Sequence, residues 1–498
     1  MGGILLSMIQ ISNLSFSYET SGDSIFDHVS LCLHTDWKLG LIGRNGRGKT
    51  TLFRLLLGEF PYSGTLSSSV EFSYFPYEVP DKTKYTYEII EQIYPDYEHW
   101  RLVKEFHLLH LSENVLYRTF EMLSFGEQTK VLLAILFLRE NRFLLIDEPT
   151  NHLDEEAREL IARYLNTKKG FILVSHDRKF LDTCIDHVLY INKKTIGIQQ
   201  GNFSSWYENK LKHEQFETAE NAKLKKEIRH LKEAATRTAG WSNEVEKTKY
   251  ATQNGGLRPD RGYIGHKAAK MRKRSKSIET RRHTAYQEKA APFQDLESAD
   301  DLKLSPLIFH HERLLSLVDV SLSYGKHTVL EHFFLELNKG ERVCLDGPNG
   351  CGKSTVFRLI LKDLVPSFGC VTTAGGLKIS YVPQNADFLM GPLKDYAADC
   401  GIDISLFFTI LRKLGFAPSQ FEKQMEQFSA GQKKKVLLAK SLCESAHLYL
   451  WDEPLNYLDI FSRIQLEELL VKYEPTLLFI EHDSYFQEKI ATRIISFS

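Results

Sequence analysis

The sequence predicts an α/β protein in which two copies of one domain are joined by a long α-helical hairpin. A glycine-rich phosphate-binding loop occurs at residues 43–50 and again at 347–354, and the polar motifs behind the first loop recur in the same order behind the second. A segment rich in Lys and Arg, with helical periodicity, separates the copies. Corresponding residues lie 304 apart for the loop lysines, 305 for two serines that precede helices, 305 for two glutamates and 306 for two histidines. So regular a spacing over several motifs indicates an internal duplication.

We assign residues 1–210 to the first copy, 211–305 to the hairpin and 306–498 to the second copy. In each copy short apolar runs alternate with helical stretches, which is typical of a parallel sheet whose chemistry lies at the strand ends. The predicted strands are 38–42, 143–146 and 171–174 in the first copy and 342–345, 448–451 and 476–480 in the second.

The predicted hairpin is the basic part of a chain whose formal net charge is only −1. Between Lys210 and Ala290, about twenty Lys and Arg residues stand against about ten acidic ones, and apolar residues recur among them at helical spacing. Glycines and Pro259 interrupt this pattern near residues 246–265, where Gly262 is among the residues expected to end a helix. We therefore expect two long helices joined by an exposed tip that is basic and aromatic.

Composition and cysteine spacing indicate a soluble cytoplasmic protein. Of the 498 residues 43% are hydrophobic, and the longest apolar run near the motifs, 131–138, is far short of the roughly 18 residues that suggest a membrane span. The first residues include no basic stretch before their apolar patch, so we expect no cleaved signal, and Leu6 stands where myristoylation requires Ser or Thr. The seven cysteines lack the paired spacing of metal ligands, which predicts reduced thiols without zinc or disulfides.

Each glycine-rich loop has the composition of a site for nucleotide phosphates. Its glycines allow backbone N–H groups to close around the β and γ phosphates, and the helix that follows adds a favourable dipole. The loop lysine neutralises phosphate charge, and the hydroxyl of the next residue is offered to Mg²⁺. The predicted nucleotide-binding residues are Gly43, Asn45, Gly46, Gly48, Lys49, Thr50 and Thr51 in the first copy and Gly347, Asn349, Gly350, Gly352, Lys353, Ser354 and Thr355 in the second.

Two further motifs follow apolar strands and have the residue types that phosphoryl transfer requires. An Asp-Glu pair ends one strand in each copy; the Asp is expected to hold Mg²⁺ and the Glu to polarise the attacking water. A histidine follows the next apolar strand, and we expect it to hydrogen-bond to the γ phosphate. The predicted catalytic residues are Glu148, Glu453, His176 and His482, and the predicted Mg²⁺ ligands are Thr50, Ser354, Asp147 and Asp452.

Ser124 and Ser429 each precede a helix rich in Lys and Leu, and a glycine, Gly126 or Gly431, follows two residues later. A serine hydroxyl and a glycine amide at a helix start can bind an anion. Nothing in their own copy requires such a site. We therefore expect each pair to face the nucleotide of the other copy.

These motifs together resemble the ATP-binding-cassette superfamily of P-loop ATPases, and the resemblance covers nearly the whole chain. Tyr18 and Tyr324 match the aromatic residue that stacks on adenine. Gln384 matches the Q-loop glutamine, and Asp154 and Asp459 match the D-loop. The resemblance implies two cassettes that close head to tail around two ATP molecules with Mg²⁺. It implies a site one of Lys49, Thr50, Asp147, Glu148 and His176 with Ser429 and Gly431, and a site two of Lys353, Ser354, Asp452, Glu453 and His482 with Ser124 and Gly126.

The sequence departs from that superfamily at several motif positions. Phe125 and Ala430 stand where the signature motif usually has glycine. Tyr77 stands at the Q-loop position of the first copy, and Leu455 replaces the threonine that follows Glu-Pro in the first copy. We therefore expect the two sites to hydrolyse ATP at unequal rates.

Two cassettes on one chain, joined by a basic helical hairpin, resemble the ABC-F translation proteins. Residues 148–154 and 201–204 are similar to motifs of that group, and residues 37–50 with the long linker resemble its Lsa-type and Vga-type antibiotic-resistance members. The resemblance implies a monomer that binds the 70S ribosome, ribosomal RNA and P-site tRNA. It also implies that the linker enters the exit-tRNA site, that its tip approaches the peptidyl-transferase centre, and that lincosamide, pleuromutilin or streptogramin A drugs are dislodged.

The tip of the hairpin contains the side chains that we expect to contact RNA. Phosphate neutralisation scales with the number of cationic contacts, and the hairpin concentrates an excess of about ten positive charges. Aromatic side chains can stack on unpaired bases. The predicted RNA-binding residues are Lys247, Lys249, Tyr250, Arg258, Arg261 and Tyr263.

Two other functions stay open on the sequence. An ATPase subunit of a membrane transporter would need a separate membrane partner and would leave the hairpin without a role. A housekeeping translation factor is the second alternative, but the short span from Lys49 to Ser124 leaves little space for the additional arm that such factors can have in the first cassette. A DNA-repair role is disfavoured because zinc-ligand pairs and a very long coiled coil are missing from the sequence.

Overall fold

The structure is a computed structural model that describes residues 8–18, 24–150, 155–192, 195–216, 302–325, 327–348 and 350–497, with Leu153 and single positions between 219 and 273. The chain divides into two compact units, of which one comprises residues 1–204 and 299–498 and the other residues 205–298. Among the helices within these described ranges, none is long and apolar enough to span a membrane.

The first copy contains a mainly parallel sheet and a smaller antiparallel one. Its described strands are β1 (Met8–Ser17), β2 (Ser24–His34), β3 (Lys38–Ile42), β4 (Ser63–Ser68), β5 (Glu71–Phe75), β6 (Arg142–Asp147), β7 (Phe171–Val174), β8 (His187–Ile191) and β9 (Ile196–Gln200). The larger sheet has the order β5-β6-β7-β3-β8-β9, and its neighbours are parallel except β8 and β9. The antiparallel sheet has the order β2-β1-β4.

The second copy repeats this arrangement. Its strands are β10 (Arg313–Tyr324), β11 (His327–Asn338), β12 (Arg342–Asp346), β13 (Phe368–Thr373), β14 (Ile379–Val382), β15 (Leu448–Asp452), β16 (Leu477–Ile480) and β17 (Arg493–Ser496). The parallel sheet has the order β14-β15-β16-β12-β17, and the antiparallel sheet has the order β11-β10-β13.

Helices alternate with the parallel strands, as the apolar periodicity predicts. In the first copy they are Lys49–Leu56, Thr86–Ile93, His99–Leu108, Phe125–Leu138, Glu155–Asn166 and Arg178–Cys184. In the second copy they are Lys353–Ile360, Leu393–Asp399, Ile404–Lys413, Ala430–Cys443, Ile460–Tyr473 and Ser484–Ile490.

The central strands lie in the hydrophobic core because they are apolar on both faces. All residues of β7, β15 and β16 are buried, as are the four central residues of β6. A parallel strand that is covered on both faces needs such an uninterrupted apolar run. The six predicted strands are confirmed. Because parallel strands end at one edge of a sheet, the residues that follow β6 and β7, or β15 and β16, meet there.

The second unit is helical wherever it is described. Residues 205–216 and every described position between 219 and 273 are helical, in keeping with the predicted helical linker. Gly262, which we expected to end a helix, is itself helical. A single glycine destabilises a helix interior by only about 1 kcal/mol relative to alanine, so a helix can include one.

Candidate nucleotide sites between the two copies

The first phosphate loop forms a cradle at the start of the helix Lys49–Leu56. Gly46 and Gly48 have φ angles of 81° and 94°, which residues with a Cβ rarely adopt. A Cβ at Gly48 would also lie 2.7 Å from the Ile25 side chain. The loop therefore requires glycine on two grounds, and the unpaired N–H groups at the start of the helix suit it to an anion.

Lys49 lies within this cradle. Its Nζ donates hydrogen bonds to the carbonyl oxygen of Gly43 at 2.8 Å and to Oδ1 of Asn45 at 3.2 Å. Burial lowers the pKa of Lys49, and the negative charge of Asp459 in the second copy opposes that shift. A cation held among carbonyl oxygens at this point is positioned to neutralise phosphate charge.

The second loop has the same form. Gly350 and Gly352 have φ angles of 86° and 102°, and Gly352 precedes the helix that begins at Lys353. Lys353 Nζ donates a hydrogen bond to the carbonyl oxygen of Gly347 at 2.5 Å. Asn349, which the sequence assigns to this loop, lies outside the described residues.

The predicted Mg²⁺ ligands lie side by side at the carboxyl edge of each sheet. Oγ1 of Thr50 donates to Oδ2 of Asp147 at 3.4 Å, and the Tyr74 hydroxyl donates to the same oxygen at 3.2 Å. In the second copy burial raises the pKa of Asp452 to about 6, and Ser354 works against that shift. Both Asp452 oxygens are buried and make no hydrogen bond of normal length within the described part of the chain. A hydroxyl beside a carboxylate whose oxygens can still accept a ligand is a suitable pair of oxygen ligands for Mg²⁺ next to nucleotide phosphates.

Glu148 and Glu453 follow directly in strained turns. Their φ angles are 48° and 47°, in the left-handed region. The backbone N–H of Glu148 donates to the Val174 carbonyl at 2.9 Å, and that of Glu453 donates to the Ile480 carbonyl at 3.0 Å. The neighbouring strand thus holds each turn in a conformation that costs on the order of 1–3 kcal/mol and is concentrated at functional sites.

A histidine accompanies each glutamate. Nε2 of His176 lies 3.3 Å from Oε1 of Glu148. Burial raises the pKa of Glu148 to about 8 and lowers the pKa of His176 well below its ordinary value. Burial also lowers the pKa of His482. Oε2 of Glu453 accepts a hydrogen bond from Asn456 Nδ2 at 2.5 Å. Both histidines are therefore uncharged at neutral pH and available as hydrogen-bonding groups.

Site one is a cavity of about 440 Å³ that both copies line. Ser429 and Gly431 lie there opposite the first phosphate loop. Ser429 also accepts a hydrogen bond from the backbone N–H of Gln432 at 3.3 Å and so caps the helix Ala430–Cys443. The predicted nucleotide-binding residues that line this cavity are Tyr18, Asn45, Gly46, Gly48, Lys49, Thr50, Thr51, Ser429 and Gly431.

Direct bonds join the copies at site one. Asn45 Nδ2 donates to the Tyr457 carbonyl at 3.0 Å, and the Asn45 N–H donates to Oδ2 of Asp459 at 3.4 Å. Asp459 is 1% exposed and pairs with Nζ of Lys435 at 3.2 Å. Burial opposes ionisation of Asp459, but Lys435 holds its pKa below the ordinary value. Lys435 is not among the residues predicted from the sequence. A lysine does stand at the equivalent position of the first copy, Lys130, 305 residues earlier, and this repetition could have pointed to it.

Site two is a cavity of about 430 Å³. The first copy contributes Leu153 and Arg158 to it, and Nη1 of Arg158 donates to the His482 carbonyl at 2.9 Å. Arg158 is a second residue that sequence reasoning missed, and it recurs as Arg463 at the repeat interval. The predicted residues that line this cavity are Gly350, Gly352, Lys353, Ser354, Thr355, Gln384, Glu453 and His482.

Ser124 and Gly126 are not among the residues that line site two. Ser124 caps its helix by accepting a hydrogen bond from the Glu127 N–H at 3.2 Å. A Cβ at Gly126 would lie 3.8 Å from Leu153, which does line the cavity. The signature of the first copy thus lies next to site two without lining it.

Of the remaining residues singled out in the sequence, some lie at site one, some lie away from it and some fall outside the described residues. Tyr18 is bonded through its hydroxyl to Thr51 at 2.9 Å on the edge of site one. Tyr77 does not line that cavity; its hydroxyl is buried and its ring lies 5.8 Å from the Arg139 guanidinium. Outside the described residues or side chains lie Asp154, Tyr324, Lys247, Lys249, Tyr250, Arg258, Arg261 and Tyr263.

The chain matches known proteins along almost its whole length. It is 28% identical to the ribosome protection protein VmlR of Bacillus subtilis, over 97% of this chain and 85% of that protein. It is 26% identical to the energy-dependent translational throttle protein EttA of Haemophilus influenzae, over 95% of this chain and 89% of that protein. Both proteins are similar to this chain across the two copies and the segment between them.

Solved structures share the fold. The archaeal ribosome recycling factor aABCE1, crystallised in complex with the stalk protein aP1, superposes with a TM-score of 0.61 at 20% identity over 97% of this chain and 87% of that one. A structure of the RNase-L inhibitor superposes with a TM-score of 0.60 at 20% identity, over 97% of this chain and 87% of that one.

A family model described as ABC transporter matches residues 26–151 and 330–456, which are slightly more than half of the chain. The matched ranges contain both phosphate loops, both serine-glycine pairs and both Asp-Glu pairs. The chain therefore belongs to the ABC transporter family as a tandem ATPase, and within that family its relatives are ABC-F proteins.

Proposed function

We propose that this chain is an ATP-gated ribosome-binding protein that protects bacterial ribosomes from antibiotics acting at the peptidyl-transferase centre. The observation that carries the proposal is site one, where Ser429 and Asp459 of the second copy meet the phosphate loop of the first. Nucleotide bound there is in contact with both copies. The similarity to a ribosome protection protein over 97% of the chain supports the choice of the ribosome as partner.

In this proposal each residue at site one has a separate role in ATP hydrolysis. Lys49 neutralises phosphate charge, and Glu148 polarises the attacking water. His176, uncharged because burial lowers its pKa, donates a hydrogen bond to the γ phosphate. Thr50 and Asp147 would hold Mg²⁺, which when bound would offset the charge that develops on the phosphates. The corresponding residues of the second copy have the same roles at site two.

Closure of the two copies is the step that ATP controls. A ligand shifts a conformational equilibrium only through its different affinity for the two states. ATP on the first phosphate loop gains contacts with the Ser429 signature only when the copies are together, so ATP favours the closed state. Hydrolysis removes the γ phosphate and with it part of that preference. The closed state is the one that we propose binds the ribosome.

The basic hairpin is the element that we propose contacts RNA. About twenty cationic side chains in one segment favour an RNA partner, since each phosphate contact releases counterions. We place its tip near the peptidyl-transferase centre, reached through the exit-tRNA site, with ribosomal RNA and P-site tRNA as contacts. A monomer in the cytoplasm, with its own two copies paired, is sufficient for this role.

A trapping experiment tests the ribosome assignment. Glu148→Gln combined with Glu453→Gln binds ATP without hydrolysing it, and we expect this variant to co-sediment with 70S ribosomes in ATP but not in ADP. Absence of ATP-dependent retention would contradict the proposal.

The hairpin tip is tested in the trapped background. Lys247→Glu with Lys249→Glu should weaken retention at least tenfold, because two phosphate contacts become repulsive. The matched control is Lys82→Glu with Lys84→Glu, which makes the same change at the same spacing on exposed residues of the first copy. Equal losses for the two pairs would show that the tip has no special role.

Drug susceptibility separates resistance from a housekeeping role. We expect expression in a sensitive bacterium to raise the inhibitory concentrations of lincosamides, pleuromutilins or streptogramin A, and the doubly substituted Gln variant to give no protection. Ribosome trapping with unchanged susceptibility would favour a translation factor, in line with the 26% identity to EttA. Recovery in complex with an integral membrane protein would favour a transporter subunit instead.

A further inference from the structure

A buried ion pair joins the two copies. Arg178, in the first copy, is 7% exposed and bonds to the carboxylate of Glu467, which is fully buried in the second copy. The Arg178 guanidinium also lies 4.1 Å from the ring centroid of Tyr485 in the second copy. Glu467 has a second partner, Lys489, whose Nζ lies at 3.1 Å within its own copy.

Each residue of the ion pair lies on an element that begins next to site one, after the histidine motif in the first copy and after Asp459 in the second. Arg178 begins the helix two residues after His176. Glu467 belongs to the helix Ile460–Tyr473, which Asp459 caps. Asp459 is also the residue that bonds to Asn45 in the first phosphate loop. The pair therefore connects the histidine motif of one copy to the D-loop helix of the other, beside a single nucleotide site.

The repeat has no equivalent pair at site two. Adding the histidine interval of 306 to Arg178 gives Ser484, and subtracting the glutamate interval of 305 from Glu467 gives Ala162. These two small residues line a cavity of about 240 Å³ between the copies. His482 of site two lines the same cavity. One flank of the interface is closed by a buried ion pair, whereas on the other a hydrogen bond from Arg158 to the His482 carbonyl crosses beside open space.

We propose that Arg178 and Glu467 are positioning residues that keep site one assembled through the ATPase cycle, so that the copies separate first at the flank of site two. Site one would then retain its nucleotide longer, and site two would exchange nucleotide faster. This inference rests on the ATPase activity of the family and stands whether or not the partner is a ribosome.

Removing the pair should loosen the interface without unfolding either copy. Lys489 continues to neutralise Glu467 within the second copy when Arg178 is absent. In the first copy the substitution removes the side chain that contacts Glu467 and Tyr485 of the other copy. Arg178→Met is therefore a suitable test variant.

The test measures release of a fluorescent ATP analogue from the non-hydrolysing variant Glu148→Gln/Glu453→Gln. We expect two release phases, and Lys353→Ala, which disables site two, should abolish the faster one. Arg178→Met should accelerate the slower phase at least tenfold and change the faster phase less than twofold. Arg178→Lys, which keeps the charge but loses the planar stacking on Tyr485, should accelerate the slow phase less than Arg178→Met does.

Lys179→Met is the matched control. Lys179 is the neighbouring cation, about half exposed, and lies 3.7 Å and 3.8 Å from Glu155 and Glu159 of its own copy. Both release phases should stay within twofold of their original rates. A slow phase that Lys179→Met accelerates as much as Arg178→Met does would overturn the proposal, because a general change of surface charge would then be the cause.

Transferring the pair to the other flank gives a second, independent test. Ala162→Glu with Ser484→Arg puts both charges into the 240 Å³ cavity and should slow the faster phase at least fivefold. The proposal is overturned if Arg178→Met leaves the slow phase unchanged, if it accelerates both phases equally, or if the transferred pair leaves the fast phase unaltered in a variant with an unchanged circular dichroism spectrum.

Discussion

Replacing Lys435 by methionine should destabilise the second copy far more than the same change at Lys433 on the same helix. Lys435 is 3% exposed and pairs with Asp459, which is 1% exposed. Its Nζ also donates to the Leu414 carbonyl at 2.6 Å. Methionine fills a similar volume but leaves the Asp459 carboxylate buried beside an apolar side chain. The loss of the partner charge is therefore the main consequence of the substitution.

The expected magnitude follows from the burial of the pair. Removing one partner of a buried ion pair costs about 3–5 kcal/mol, since the other charge stays desolvated. Asp459 keeps hydrogen bonds from the N–H and hydroxyl of Ser462 at 3.0 Å and 3.1 Å, which favours the lower end, about 3 kcal/mol. For a domain of this size each kcal/mol lowers Tm by about 2–4 °C, so the expected decrease is about 6–12 °C.

Differential scanning calorimetry of the full chain measures this shift. Lys433→Met is the matched control, because it makes the same change on the same helix at a partly exposed position. Lys435→Met combined with Asp459→Asn should recover part of the loss, since the unpaired charge is removed. If Lys435→Met and Lys433→Met lower Tm equally, the buried pair does not contribute the stability that its geometry suggests.

Three further outcomes are expected. Burial raises the pKa of Glu481 from 4.5 to about 7. Between these values the native state binds more protons than the unfolded chain, so stability falls as pH rises through that window. Glu481→Gln should remove the share of the fall that this carboxyl causes, up to about 3 kcal/mol, and so make the decrease of Tm between pH 4.5 and 7.5 smaller. Gly48→Ala should weaken ATP binding at site one at least tenfold in fluorescence titrations, whereas Gly375→Ala, which meets no atom within 4 Å, should not. Thr50→Val should raise the Mg²⁺ concentration for half-maximal ATPase activity, because it removes one of the two proposed ligands and leaves Asp147. Unchanged Mg²⁺ dependence would exclude Thr50 from the metal site.

The fold could be predicted because its strands leave a strong pattern. β7, β15 and β16 are short runs without a polar interruption, and they are buried on both faces. Within each sheet the carboxyl ends of the parallel strands meet at one edge, which brings the acidic pair and the histidine of each copy together. The duplication supported each motif assignment a second time, because the same residue types recur in the second copy at nearly constant intervals.

The contacts between the copies were harder to predict, because they depend on residues that are hundreds of positions apart. Lys435 and Arg158 recur at the repeat interval, as Lys130 and Arg463, and so left a signal that was overlooked. Arg178 has no such counterpart, and its sequence surroundings do not distinguish it from arginines that lie on the surface. Only the three-dimensional packing of the two copies reveals its partner.

The two copies differ near the nucleotide sites at positions outside the signature motifs as well, and this difference also favours unequal rates of hydrolysis. Near Glu148, the proposed catalytic residue of the first copy, Thr150 and Ser175 form a neutral hydroxyl pair at 3.1 Å. The second copy has Leu455 and Glu481 at these positions, and the Leu455 N–H donates to the buried Glu481 carboxylate at 2.6 Å. Burial raises the pKa of Glu481 to about 7, and the nearby charges of Asp483 and Glu453 add to that rise, because like charges in a low-dielectric site repel. The chemical step at site two is therefore expected to differ from that at site one, independently of how fast each flank opens.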